Sequence, residues 1–221
     1  MILYSSVSLL DTELRDNLDR FCRQEAQHYM QHERFNALVV GHDYPGLEAR
    51  IARLRADFED FLNHHDDRFR IGFIEGFEAN TTQGALFLLR SGLFEHPQTQ
   101  PDFGLLFKWH MLEEIEHRNI AFDVYQHLYG TYWYRARMCW YAQRHMHGFI
   151  GDCTKLMVTA DVPRHGERCR VSMKERLLRP ISIAVPRVVS MLPGYTPHKY
   201  DVPQRVGALS TELSALAESA S

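Results

Sequence analysis

Apolar residues recur every three to four positions along most of this chain, and the strict alternation that marks a half-buried strand is scarce. The spacing predicts a helix from Thr12 to Val40, with Leu14, Leu18, Phe21, Phe35 and Val39 on one stripe. It stops at Gly41, His42, Asp43, Tyr44, Pro45 and Gly46, a dense run of turn formers. A second helix, Leu47 to His64, carries Leu47, Ile51, Leu54, Phe58 and Phe61 at helical spacing and no metal-ligating residue among them, so its expected role is packing. A third runs from about Asp67 to Leu93, with Pro97 and Pro101 before a fourth, Asp102 to Tyr129, which Gly130 ends. A fifth, aromatic-rich helix follows from Thr131 to about Phe149 and can continue past Gly151. After Asp161 the pattern loosens, broken by Pro163, Gly166, Pro180, Pro186, Pro193 and Pro197, and ALSTELSALAESAS reads as a frayed terminal helix or tail. The expected architecture is all-α: one domain over 1–221, with an antiparallel helical bundle at about 11–158 and a C-terminal helical or irregular extension at 159–221.

Three of the apolar stripes are interrupted by ionisable residues. On the fourth helix His110, Glu114 and His117 form an HxxxExxH array that falls within an arc of roughly 60°. Phe103, Leu106 and Phe107 precede it, and Ala121, Val124 and Leu128 follow it, on the same face. On the first helix Glu25, His28 and His32 occupy a similarly narrow arc between Phe21 and Phe35. Glu78 interrupts the stripe of Ile71, Ile74, Ala85 and Leu89 on the third, with Thr81 and Thr82 beside it, and Glu75 is a weaker alternative about 60° off that face. An unpartnered carboxylate in a core is costly, and imidazoles converging with carboxylates resolve that cost by binding a metal ion. Two ExxH pairs on two helices are half of the inward-facing ligand set of di-iron and di-manganese carboxylate bundles. The expected ligands are Glu25, His28, Glu78, His110, Glu114 and His117, with His32 as an additional ligand or outer partner. Glu113, Glu116 and Arg118 face away from the stripe, and His64, His65, His145 and His147 read as surface histidines.

Composition narrows the partners. A net charge of −3 over 221 residues, without a basic stripe, argues against nucleic acid. No stretch approaches the roughly 20 apolar residues of a membrane span, and MILYSSVSLLDTE lacks the basic start of a signal peptide. Cys22, Cys139, Cys153 and Cys169 are scattered without CxxC spacing, which fits reduced thiols in a cytoplasmic protein. The expected partner is a small-molecule substrate, with an oligomer open. The aromatic run TYWYRARMCWYAQRHMHGF reads as core packing rather than as the wall of a pocket.

The ExxHxxxH of the first helix, EANTT, WHMLEEIEHRNIAFDVY and PGYTPHKYD together resemble the bacterial family of predicted metal-dependent hydrolases, over roughly Phe21 to Asp201. That resemblance implies a ferritin-like helical fold and a metal-dependent activity. The ligand pattern is also similar to that of di-iron N-oxygenases, in which three histidines and four carboxylates hold two irons. Members of the hydrolase family carry a further Gly-Glu pair on a helix before the ExxH helix, and His at the position of Thr196. The expected cofactor is iron, as two ions; the sequence here shows no such pair before the first ExxH, so the resemblance implies a ligand set one carboxylate short of the full set for the second ion.

Three functions follow from this inventory. With iron, carboxylate and imidazole ligands favour O2-dependent oxidation of a small organic substrate, the physically preferred reading. With zinc or manganese, a metal-bound water would hydrolyse an ester, amide or phosphoester. The third is a shortened, catalytically inactive metal-binding bundle. No GxSxG or comparable nucleophile motif is present, so chemistry would centre on the metal.

Overall fold

The computed structural model of the chain describes residues 7–97, 99–166, 184–202, 206–209 and 211, and among these the regular structure is all helical, with no strand. The elements are α1 (Thr12–Val40), α2 (Leu47–His64), α3 (Asp67–Ser91), α4 (Pro101–Glu116), α5 (Ile120–Leu128) and α6 (Tyr132–His165). Short 3-10 turns lie at Leu93–Glu95 and Pro197–Lys199, and residues 184–191 are also helical. Cys169, Pro180 and most of the expected terminal tail fall outside the described residues.

Local chemistry sets most of the boundaries. The side chain of Asp11 accepts from the Leu14 amide at 2.8 Å, that of Asp66 from Phe69 at 2.8 Å, and that of Gln100 from Phe103 at 2.6 Å. Each satisfies one of the amides that a helix start leaves without a partner. Gly92, at φ 70°, takes the left-handed conformation that glycine adopts cheaply and ends α3 at Ser91, two residues before the expected Leu93.

One expected helix is corrected and another takes its longer form. The helix expected over Asp102–Tyr129 is two helices, separated at 117–119. The Ile115 carbonyl at that break accepts from the Arg118 guanidinium at 2.6 Å, a side chain supplying what the next helical turn would have given. The aromatic helix, in turn, runs on to His165, because neither Gly148 nor Gly151 is more than a propensity cost of about 1 kcal/mol within a 34-residue helix.

α3 organises the core. Phe73 packs with Phe61 of α2 and with Met138 and Ala142 of α6; Ile71 packs with Leu18 and Phe21 of α1 and Val124 and Tyr125 of α5. Ala85 and Leu86 pack with Met111, Leu112 and Ile115 of α4. Near the middle of α3 a β-carbon on Gly76 would lie 2.5 Å from the Cys139 Cα, so glycine is what lets α3 and α6 touch backbone to backbone. Of the aromatic residues of α6, Tyr134 and Tyr141 pack into the core, whereas Trp133 and Trp140 stand exposed.

Beside that contact, Arg135 of α6 and Glu75 of α3 form a fully buried ion pair at 2.9 Å. Arg135 also donates to the Ser190 and Leu192 carbonyls, and the Tyr132 hydroxyl donates to that of Met191. Polar groups of α6 thereby pin residues 190–192 to the bundle. His198 adds a contact from the other end of this segment, 2.8 Å from Asp123 of α5. Three of the histidines expected at the surface are partly buried and engaged: His145 pairs with Asp57 at 2.9 Å, His147 meets Arg187 at 2.8 Å, and the His65 ring stacks on Phe69. Only His64 is largely exposed.

Candidate metal centre

The three interrupted stripes meet. α1 brings Glu25 and His28, α3 brings Glu78, and α4 brings His110 and Glu114, with His117 as its C-cap, into two adjacent groups, His28–His110–Glu114 and Glu25–Glu78–His117. All six residues picked out by helical phase are therefore together, and each group contains three ligand atoms that lie within 4.8 Å of one another. Glu114 belongs to both neighbourhoods: its Oε1 is 2.8 Å from His110 Nε2 and its Oε2 is 3.4 Å from His117 Nε2. Glu75, the alternative on α3, is turned to Arg135 instead.

His117 Nε2 faces one carboxylate oxygen from each of three helices, at 3.4 Å from Glu25, 3.5 Å from Glu78 and 3.4 Å from Glu114. Atoms each about 2.1 Å from one ion stand roughly 3.0 to 3.4 Å apart, so the spacing is that of neighbouring ligands. None of these contacts is a hydrogen bond. Glu25 Oε1, His28 Nδ1, Glu114 Oε2 and His117 Nε2 are all buried without a hydrogen-bond partner. Such atoms cost about 1 to 3 kcal/mol each when unsatisfied; here Glu25 Oε1 and Glu114 Oε2 each lie 3.4 Å from His117 Nε2, and His28 Nδ1 lies 3.2 Å from Glu25 Oε1. The residues present fit a divalent ion.

Electrostatics agree. Burial alone would lower the His28 pKa, but its hydrogen bond to Glu113 and the adjacent carboxylates of Glu25 and Glu114 outweigh it and raise it to about 9. His117 is likewise raised against its burial by Glu114 and Glu78. Burial and the nearby Glu114 carboxylate push Glu78 up, while His110 and His117 hold Glu114 well below the usual carboxylate range against its own burial. Without a metal, imidazolium protons thus supply the positive charge that the carboxylates need. The end of α4 at His117 adds to this, since a helix C-terminus carries partial negative charge and favours a cation.

Outer contacts orient the inner groups. Thr81 Oγ1 donates to Glu78 Oε2 at 3.3 Å, and the Phe21 ring meets His117 edge-on with centroids 4.9 Å apart. His32, a candidate ligand in the sequence, is in neither group; its Nε2 lies 2.6 Å from His110 Nδ1, on the side of that ring away from Glu114. Burial and the neighbouring His110 lower its pKa to about 4, so it is neutral near pH 7. Glu113, expected to face away, accepts from His28 Nε2 at 2.8 Å and from Gln24 Nε2 at 3.3 Å. Stripe analysis on α4 alone passes over it. The signal that could have found it lies on α1, where Gln24 and His28 are four residues apart and so present one face to one partner.

The environment is uneven. Glu78, Glu114 and His117 are almost fully enclosed, whereas the Glu25 side chain is 33 % exposed. No helix among the described residues is long and apolar enough to cross a membrane, and Cys22, Cys139 and Cys153 are free thiols. Neither the curated proteins nor the solved structures contain a match to the chain. The sequence model of one family does match it, over residues 5–201, and its description is predicted metal-dependent hydrolase. With nearly the whole sequence covered and a donor set suited to a metal at the junction of three helices, the chain belongs to the predicted metal-dependent hydrolase family.

Proposed function

We propose that the protein is a metal-dependent hydrolase whose centre is held by Glu25, His28, Glu78, His110, Glu114 and His117. The observation that carries this reading is His117 Nε2 facing three carboxylate oxygens from three helices without hydrogen-bonding to any of them. Family membership directs the chemistry toward hydrolysis, and the O2-dependent oxidation preferred on ligand type alone has no comparable support. A bound divalent ion supplies Lewis acidity, lowering the pKa of water and polarising a carbonyl or phosphoryl oxygen.

The chain's own residues do the rest. Glu78, Glu114 and His117 form the enclosed floor, and Glu114 spans both ligand groups. Glu25, on the accessible edge, is the carboxylate that substrate and water meet first. Edge-on contacts from Phe21 to His117, from Trp109 to His28 and from Phe107 to His32 fix the imidazole planes and keep bulk water from their flanks.

The test is anaerobic turnover. Full-length protein loaded with zinc, manganese or cobalt should cleave activated ester, amide or phosphoester substrates without O2, and Glu114→Ala should abolish cleavage. Turnover that requires iron and O2, with no cleavage under nitrogen, would overturn the hydrolytic reading in favour of oxidation.

A further inference from the structure

We infer that Glu113, itself held by Gln24, is a positioning residue that fixes His28 so that Nδ1, and not Nε2, is the nitrogen offered to the metal centre. This rests on the metal-centre reading above. A carboxylate only accepts, so the 2.8 Å contact requires His28 Nε2 to carry the hydrogen it donates to Glu113 Oε2. The other carboxylate oxygen of Glu113 accepts from Gln24 Nε2, which holds it in that orientation from the same helix that carries His28. His28 Nδ1 is thereby left facing inward, 3.2 Å from Glu25 Oε1 and 4.0 Å from Glu114 Oε1, buried and without a hydrogen bond.

Glu113 stands outside both groups of three ligand atoms, and its two oxygens are taken up by His28 Nε2 and Gln24 Nε2. Its role is that of the outer carboxylate which sets the tautomer and ring angle of a metal-binding imidazole. The bracing is also selective. His28 and His110, of one group, each have their far nitrogen engaged, by Glu113 and by His32. His117, of the other group, has a buried Nδ1 with no partner. Loss of Glu113 should therefore weaken the His28–His110–Glu114 group and spare Glu25–Glu78–His117.

The experiment is titration of the metal-free full-length chain with Co2+, read by visible absorption and by competition with a chelator, beside circular dichroism of each variant. Glu113→Ala should weaken the His28-dependent Co2+ about 10- to 100-fold. Glu113→Gln, whose side-chain carbonyl still accepts from Nε2, should retain most of the affinity and serves if the alanine variant fails to fold. In a His28→Ala background, Glu113→Ala should have no further effect, which a general loss of stability would not produce. Wild-type affinity in Glu113→Ala, or the full loss repeated without His28, overturns the inference alone. Wild type and His28→Ala binding Co2+ identically overturns the metal-centre reading as well.

Discussion

At the scale of single residues, the centre is a balance between carboxylates that must stay charged in a core and imidazoles that can supply either a proton or a lone pair. Glu78 and Glu114 are each nearly fully buried, a position that carboxylates rarely occupy without a partner. A pH dependence follows with a definite sign. His28 has a folded pKa of about 9 against an ordinary 6.5 in the metal-free protein, so its contribution to stability is complete below about pH 6.5 and is lost as pH rises through about 9. The melting temperature of metal-free protein should accordingly fall between pH 7 and pH 9.5, and His28→Gln should flatten that fall; a rise in the wild type would contradict the assignment. Because a metal must displace the same protons, its affinity should increase over the same interval. Replacing Glu78 by Gln keeps the shape of the side chain and removes one charge. Competition against a chelator should show metal bound at least about tenfold more weakly in this variant, with helicity unchanged by circular dichroism.

The helices themselves were largely legible in the sequence, and the reasons lie in particular residues. α1 and α2 occupy the expected spans because Asp11 caps one start and the Gly41–Gly46 run separates the two elements. The break after Glu116 was not legible, because Arg118 satisfies the Ile115 carbonyl through a side chain and leaves the apolar period of the following turn intact. The far half of α6 was legible only as a possible continuation past Gly151; nothing crowds Gly148 or Gly151, and the helix passes through both. Periodicity picked out the six residues that the fold brings into two adjacent groups because all of them interrupt core-facing stripes. It missed Glu113, whose partners lie on a different helix. It also could not see that Gly76 marks a backbone contact: Gly76→Ala should lower stability by about 1 to 3 kcal/mol in denaturant unfolding, with metal uptake retained in the fraction that folds.

Across the whole molecule, two polar assemblies lie on α3 one turn apart and do different work. Glu78 faces the candidate centre with α1 and α4, and Glu75 faces Arg135 and, through it, the segment at 190–192. The second assembly is structural: removing one partner of a buried ion pair costs about 3 to 5 kcal/mol, so Arg135→Leu should be strongly destabilised and its 184–202 region should be cleaved faster in limited proteolysis. Unchanged cleavage there would show that Arg135 does not anchor the segment.

The central claim is that six residues from three helices form one metal centre joined by Glu114. Metal bound per chain, measured after equilibrium dialysis of metal-free protein against zinc, tests it most directly. The wild type should retain zinc through dialysis, and Glu114→Ala and His117→Ala should each lose most of it while remaining helical. Zinc retention in Glu114→Ala equal to that of the wild type would contradict the account.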